Sequence, residues 1–551
     1  MSERLAHTPA RVQIKQFFES LPPLVKSGVL RVGTPAAQAA TVGAIGRWGM
    51  SLASLVEGAN GSFPDRIALV DDDGLLTFSG LRTDARRFAQ GLKARGVTEG
   101  SIIAIMARNG RGIVLPMIAA GYLGAQAMIL NVGSSPEQIK RIISEHGADV
   151  LVVDDEYAGV LDSLPTPGVI AYGHVDGHPS ITDIITEYHP DITLAHRPKQ
   201  QPTVIMSSGT YGIPKGVTLP VPRTPKVLGG IVNKIPWRVG GVVQLTASMF
   251  HAWGWLNLHL GLATGSTLVT HRYYDPNQAA ADCERYQVTG IVSAAVFLRE
   301  LIDAVDAHKG TIGPLDFIVS SGNAIPPQLV RELIARFGPV VCNFYGSTEH
   351  GQISIASGEE MAADPTTAGT PGLGVRLTVF RDDGQEAAVG EEGAVFSSNS
   401  MSTMGFLSSR DHADTRDGMI ATGDRGYIDA SGRLYICGRA DDMVIKGGEN
   451  VFPREVEEFL GTVDGVDDVF VHGIQDDIIA RLDAFIVRGT LADGSQLTAA
   501  QVRDIVRANL ANHNVPDRVY WVDWLPRNDG GKVVPRELSE RILDLDDPQA
   551  H

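Results

Sequence analysis

The stretch Ser207-Ser208-Gly209-Thr210-Tyr211-Gly212-Ile213-Pro214-Lys215-Gly216 crowds glycines, hydroxyls and one lysine into ten residues. Glycines let successive backbone N–H groups converge on one anion. The hydroxyls of Ser207, Ser208 and Thr210 add donors, and Lys215 adds charge. This is the chemistry of a phosphate nest, although not a Walker A loop, because the spacing differs and Lys215 is followed by glycine. Alone, such a turn serves structure as readily as function. Two more small-residue loops, SSGNAIPP and FYGSTEHG, carry Gly322, Asn323, Ala324, Tyr345, Gly346, Thr348 and Glu349. A Thr-Glu pair by itself reads as a helix start, and Asp424 in ATGDRG reads as a turn aspartate.

Loops of this kind need strands to hold them. SIIAIMA, QAMILN, DVLVVD, TVIMSS, GIVSAA, FIVSSG and VVCNFYG read as buried strands. RTDARRFAQGLKARG, SPEQIKRIISEHG and PPQLVRELIARFG read as helices ending near glycine. The alternation predicts parallel sheets flanked by helices, an α/β architecture. All three glycine-bearing loops follow strands, where open α/β sheets bind ligands. From about residue 369 the texture turns β-rich. After Arg439 a compact α+β segment begins, which places a domain boundary near residue 440, between 1–440 and 441–551.

The 551 residues exceed one ordinary core, and 43% apolar with 20% charged residues describes a globular chain. Three dispersed cysteines suit a reducing cytoplasm and argue against a disulfide or zinc framework. A net charge of −17 disfavours nucleic acid as a partner. The start has no apolar secretory core. Residues 32–46 are apolar but short and interrupted by Gly33, Pro35 and Gly46. Residues 239–271 lack Asp, Glu, Lys and Arg, yet they read as strand, helix and strand, so no membrane span is expected.

In order along the chain, these motifs resemble those of the adenylate-forming superfamily, which includes acyl-CoA synthetases, luciferases and nonribosomal adenylation domains. SSGTYGIPKG resembles its phosphate loop, FYGSTEHG its YGxTE, and ATGDRGYID its TGD. GRADDMVIKGGENVFPREVE resembles its hinge segment, and RNDGGKVVPREL the segment with its catalytic lysine. The resemblance spans about residues 60 to 540. It implies a large N-terminal domain of two doubly wound sheets plus a β-barrel-like part, with a small mobile α+β C-terminal domain.

The resemblance also implies roles. Ser207, Ser208, Gly209, Thr210 and Lys215 would hold ATP phosphates. Tyr345 and the Gly322-Asn323-Ala324 stretch would flank the adenine, Gly346 and Ile436 would belong to the same nucleotide site, and Asp424 with Arg439 would meet the ribose. Thr348 would contact the α-phosphate, Glu349 would bind Mg²⁺, and Lys532 would stabilise the adenylation transition state. Asp441 would be the hinge, and Gly447 and Gly448 would face CoA. In MFHAWGWLNLHLGLATGS, His251 and Trp253 would border a hydrophobic carboxylic acid, while Trp255 reads better as core. The first sixty residues lie outside the resemblance. Packing on the main domain is expected of them, with homodimer formation or membrane contact as alternatives.

Tyr211 departs from the family pattern, which has threonine or serine there. Losing one charge-assisted hydrogen bond costs roughly 1.5–3 kcal/mol, which weakens ATP binding without abolishing it. The expected activity is therefore an ATP-dependent carboxylic acid:CoA ligase. The alternatives are an enzyme restricted to one half-reaction, a carrier-protein-loading ligase, a luciferase-type oxygenase and a catalytically silent nucleotide-binding protein.

Overall fold

Short runs of valine, isoleucine and leucine form the strands, and the longer amphipathic stretches between them form the helices. The computed structural model describes residues 18–19, 21–29, 34–207, 215–221, 226–308, 310–403, 414–446, 449–475 and 480–546. One sheet has six strands in the spatial order Gly168–Ile170, Val150–Val153, Ile102–Met106, Gln126–Ile129, Thr203–Ser207 and Lys215–Leu219. The first five are parallel, and Lys215–Leu219 returns antiparallel at the edge.

A second sheet has nine strands. Val341–Ser347, Phe317–Ser320, Gly290–Ser293, Val242–Leu245, Thr267–Val269 and Ile67–Asp71 run parallel through its middle. Antiparallel strands close both edges. The doubly wound expectation is thus met, as is the strand–helix–strand reading of 239–271, whose helix is Ala252–Ala263.

The helices show why the chain packs this way. Arg111–Leu123 is apolar on every side and buried throughout after Arg111. Phe78–Ala94 buries Phe78, Leu81, Ala85, Phe88 and Leu92 along one face, with the Thr77 hydroxyl accepting from the Gly80 N–H at 3.1 Å. Pro136–His146 and Pro327–Phe337 end at Gly147 and Gly338, both with positive φ.

Of the interruptions expected within 32–46, Pro35 and Gly46 do not break the helix, and Gly33 lies outside the described residues. Pro35–Trp48 is one helix that passes through Gly46. Pro35 occupies the first turn, where a missing N–H costs nothing, and Thr34 caps it. An interior glycine costs only about 1 kcal/mol, which burial of Ala37, Ala44 and Trp48 offsets. With the following helix, Leu52–Ser62, this segment packs on the main core, as expected for the described part of the first sixty residues. The Trp48 ring meets the Tyr122 ring edge-on at 5.4 Å.

The β-rich stretch forms an antiparallel five-stranded sheet of Arg376–Phe380, Gly393–Ser398, Met419–Ile428, Thr415–Arg416 and Leu434–Arg439. Beyond it, Val466–Gln475, Ala480–Arg488, Arg518–Val522 and Ile542–Asp546 make a four-stranded sheet. The helices Pro453–Leu460 and Ala499–Asn509 cover it around a separate core that includes Val456, Leu482, Ile486, Val502 and Trp521. Among the described residues no helix is long and apolar enough to cross a membrane.

Candidate active site

The site assembles where strand ends from three sheets meet the turn Asn528–Lys532. Ser207 and Lys215 pair across the antiparallel strands at the base of the glycine-rich loop. The loop itself lies outside the described residues, with Ser208, Gly209, Thr210 and the divergent Tyr211, as do Gly447 and Gly448.

Tyr345 and Asp424 come from different sheets, and the tyrosine hydroxyl donates to the Asp424 carboxylate. Burial, reinforced by that negative charge, drives the Tyr345 pKa well above the usual phenol range, so the hydroxyl keeps its proton. Ile436 packs in the same small cluster as Tyr345. Arg439 pairs in register with Asp424 across the adjoining strands. Its guanidinium lies 3.6 Å from the Asp424 carboxylate and 3.5 Å from that of Asp441.

The FYGSTEHG turn is tied more tightly than its sequence suggests. His350 is 2% exposed, and its Nε2 lies 3.1 Å from the Ile420 carbonyl, so Nε2 must carry the proton. Burial lowers the His350 pKa, which leaves Nδ1 an acceptor for the Ser347 hydroxyl at 2.9 Å. The Glu349 carboxylate, also at 2.9 Å, competes with Nδ1 for that hydroxyl's single proton. Asn399 Nδ2 donates to the carbonyls of His350 and Gln352 at 2.8 and 2.6 Å, and the Thr403 N–H donates to that of Glu349 at 2.6 Å. Thr348 sits within this clamped turn. Gly346 is required there, since a Cβ would stand 2.1 Å from the Gly351 carbonyl oxygen.

Ser347, His350 and Asn399 escaped the sequence reading. The first two were visible inside the octapeptide, whereas nothing in the spacing marks Asn399.

Lys532 enters from the C-terminal body on a braced turn. Asn528 Oδ1 accepts from the N–H groups of Gly530 and Lys532, each at 3.0 Å. Gly531 has φ +76° and lies against Val296, where a Cβ would come within 2.7 Å. Gly530 faces the His251 ring, and the Gly322–Asn323 loop lies opposite the glycine pair. Lys532 is exposed at the surface of its turn, yet the protein massed around it lowers its pKa. Arg439 lowers it further, while Asp424, Glu349 and Asp442 oppose the shift. Those influences place residues from four separated motifs within one electrostatic neighbourhood. His251 is held neutral, its pKa pushed down to about 4 by burial and then by the Lys532 charge.

In the segment expected to border the acid, Trp253 Nε1 donates to the Ser293 carbonyl at 3.2 Å, and its ring packs on Phe344 at 4.8 Å. Trp255 is buried against His259, the core position expected for it. Among the described residues no cluster of three or more acidic, histidine or cysteine side chains could cage a metal. The lone Glu349 carboxylate nevertheless fits Mg²⁺, which commonly keeps waters and takes one or two carboxylates plus substrate phosphates.

The family described as "AMP-binding enzyme" matches residues 56–407, and its C-terminal domain matches residues 455–532. A 2-succinylbenzoate–CoA ligase of Geobacillus kaustophilus (strain HTA426) is 29% identical over 483 residues, covering 87% of this chain and 96% of that protein. A fatty acid–[acyl-carrier-protein] ligase, ScoC, of Streptomyces coeruleorubidus is 26% identical, covering 87% and 94%. The o-succinylbenzoate CoA synthetase of Bacillus subtilis, solved with its acyl-adenylate intermediate, aligns with a TM-score of 0.74 at 25% identity over 88% of this chain and 97% of that one. An anthranilate CoA ligase bound to anthranoyl-AMP shares the fold, with a TM-score of 0.79 at 23% identity over 89% and 96%. With the family matched over residues 56–407 and its C-terminal domain over 455–532, this chain belongs to the AMP-binding enzymes.

Proposed function

We propose that this chain is an ATP-dependent carboxylic acid:CoA ligase that activates a hydrophobic carboxylic acid as its acyl-adenylate and passes the acyl group to CoA. The observation that supports this reading best is the Lys532 turn, whose Gly530 and Gly531 lie against His251 and the Gly322–Asn323 loop.

In the first half-reaction the substrate carboxylate oxygen attacks the α-phosphorus of ATP, and the bond to pyrophosphate breaks. Two anions must approach one another, so cationic groups near the centre lower the barrier. Lys532 would supply one such charge, and Lys215 at the loop base would attract the leaving phosphates. Glu349 would hold Mg²⁺, which when bound neutralises phosphate charge. Asp424 and Arg439 would orient the ribose, and Tyr345 with the Gly322–Ala324 loop would border adenine. Thr348, fixed by the clamped turn, would meet the α-phosphate.

In the second half-reaction a thiol sulfur attacks the acyl carbon and AMP leaves. Residues 1–440 and 441–551 act as two bodies about Asp441, so that Lys532 can withdraw and the Gly447–Gly448 segment can approach. His251 and Trp253 would border the acyl group. The buried or half-buried free cysteines suit a reducing cytoplasm. The likeness to a carrier-protein ligase keeps a protein-bound phosphopantetheine as the second acceptor to test.

The deciding experiment offers a panel of hydrophobic acids with ATP and Mg²⁺, with and without CoA, and follows pyrophosphate and products by mass spectrometry. Acyl-CoA is expected. Pyrophosphate with acyl-AMP alone would replace the ligase reading with a dedicated adenylating enzyme. Thioester formed only from supplied acyl-AMP would assign the second half alone.

A further inference from the structure

The turn that carries Lys532 is braced within its own body and anchored to the other body by a single charged contact among the described residues. Inside the small body, Arg527 Nη1 donates to the Gly531 carbonyl at 3.1 Å, and Arg527 is itself held by Asp468 at 2.8 Å. Together with the Asn528 bonds this makes the turn a stiff unit, so displacement at one end is felt at the other. Across the interface, Asp529 Oδ1 lies 3.6 Å from Arg108 Nη1, and the Ser248 hydroxyl donates to the Asp529 carbonyl at 3.3 Å.

Arg108 is also held by partners within its own body. Glu156 accepts from its Nε at 2.6 Å, the Tyr157 hydroxyl from its Nη2 at 2.8 Å, and Asp154 from its backbone N–H at 2.9 Å. The next residue, Asn109, accepts from the Met249 N–H at 2.7 Å and donates to the Ala247 carbonyl at 3.1 Å. It thereby pins the loop that leads to His251. The dipeptide Arg108-Asn109 therefore fixes the acyl-side loop directly and meets the lysine turn through charge.

We infer that Asp529 is a positioning residue, and that its ion pair with Arg108 is an electrostatic latch holding Lys532 in the adenylating arrangement. The inference rests on the ligase reading above and adds to it a residue outside the substrate contacts. Exchange between half-reactions requires a hold that is strong enough to orient and weak enough to release. Asp529 is 44% exposed in its side chain, so the pair belongs to the weak, salt-screened class.

The test compares wild type, Asp529→Asn and Asp529→Glu. With an accepted acid, Asp529→Asn is expected to lower the kcat of acid-dependent ATP–pyrophosphate exchange about two- to fivefold, as loss of a partly exposed pair implies. KM for ATP and thioester formation from supplied acyl-AMP should be unchanged, and Asp529→Glu should recover most of the loss. Added salt should slow exchange in wild type more than in Asp529→Asn. Equal loss in both half-reactions, or no loss in either, would overturn the latch. A wild type without exchange would fail the ligase reading instead. Hydrogen–deuterium exchange then tests the latch independently of any acid: residues 528–532 should exchange faster in Asp529→Asn, and identical protection would sink it.

Discussion

A lysine serves a developing phosphate anion only while it carries a proton, and Lys532 holds its proton less tightly than lysine in water. Because its pKa is lowered, the charged form is lost as pH rises sooner than for an ordinary lysine. Adenylation should therefore decline on the alkaline side below the ordinary lysine range, a limb that a pH profile of pyrophosphate exchange will reveal. Lys532→Ala should cost that half-reaction about 10²–10³-fold, the scale for removing one preorganised stabilising group, while thioester formation from supplied acyl-AMP changes far less. For Tyr211 the expectation runs the other way. Tyr211→Thr should tighten ATP binding about ten- to a hundredfold, equivalent to roughly 1.5–3 kcal/mol, as read by calorimetric titration. Residues set in long motifs, such as Tyr345, Glu349, Asp424 and Lys532, were legible because neighbours in sequence share their site. Asn399 was not, since its bonds reach carbonyls 49 and 47 residues away and no periodicity marks such a link.

The helix Pro453–Leu460 shows what a buried charge does to an element. Glu457 accepts from the Val471 N–H at 2.9 Å, and burial pushes its pKa up to about 7. An acid with a raised pKa binds its proton more tightly in the folded state, so its favourable contribution is complete below the ordinary glutamate value. That contribution is lost as pH climbs through about 7. Glu457→Gln, which keeps an acceptor oxygen without the charge, should flatten this dependence. It should raise the stability of the C-terminal body at pH 8 by roughly 1–3 kcal/mol, measurable by denaturant titration at pH 5 and pH 8. Strands and helices were legible because burial imposes their periods. Their order in the sheets was not, because pairings such as Thr267–Val269 on Ile67–Asp71 depend on chain reversals far apart in sequence. The helix through Gly46 likewise rests on tertiary burial of Trp48, which overrides local propensity.

At the scale of the whole molecule, the C-terminal body has its own apolar core, and its contacts with the larger one include the partly exposed polar pairs Arg108–Asp529 and Ser248–Asp529. Bodies joined this way need not unfold together. Scanning calorimetry should resolve two transitions in the free protein. A non-reactive acyl-adenylate analogue should shift the larger body upward and draw the smaller one toward it, because such a ligand would touch both. One sharp transition in the free protein, unmoved by the analogue, would contradict this separation.

The Asn399 amide also bears on how the protein ages. It is followed by Ser400, a small residue that does little to shield an asparagine from slow deamidation. Converting its Nδ2 group to a carboxylate oxygen would replace a shared donor with an acceptor facing the carbonyls of His350 and Gln352. The turn bearing Glu349 would loosen while the rest of the fold stayed intact. Activity in stored protein should then fade ahead of any change in circular dichroism, and a mass gain of about one dalton at this peptide should track the loss.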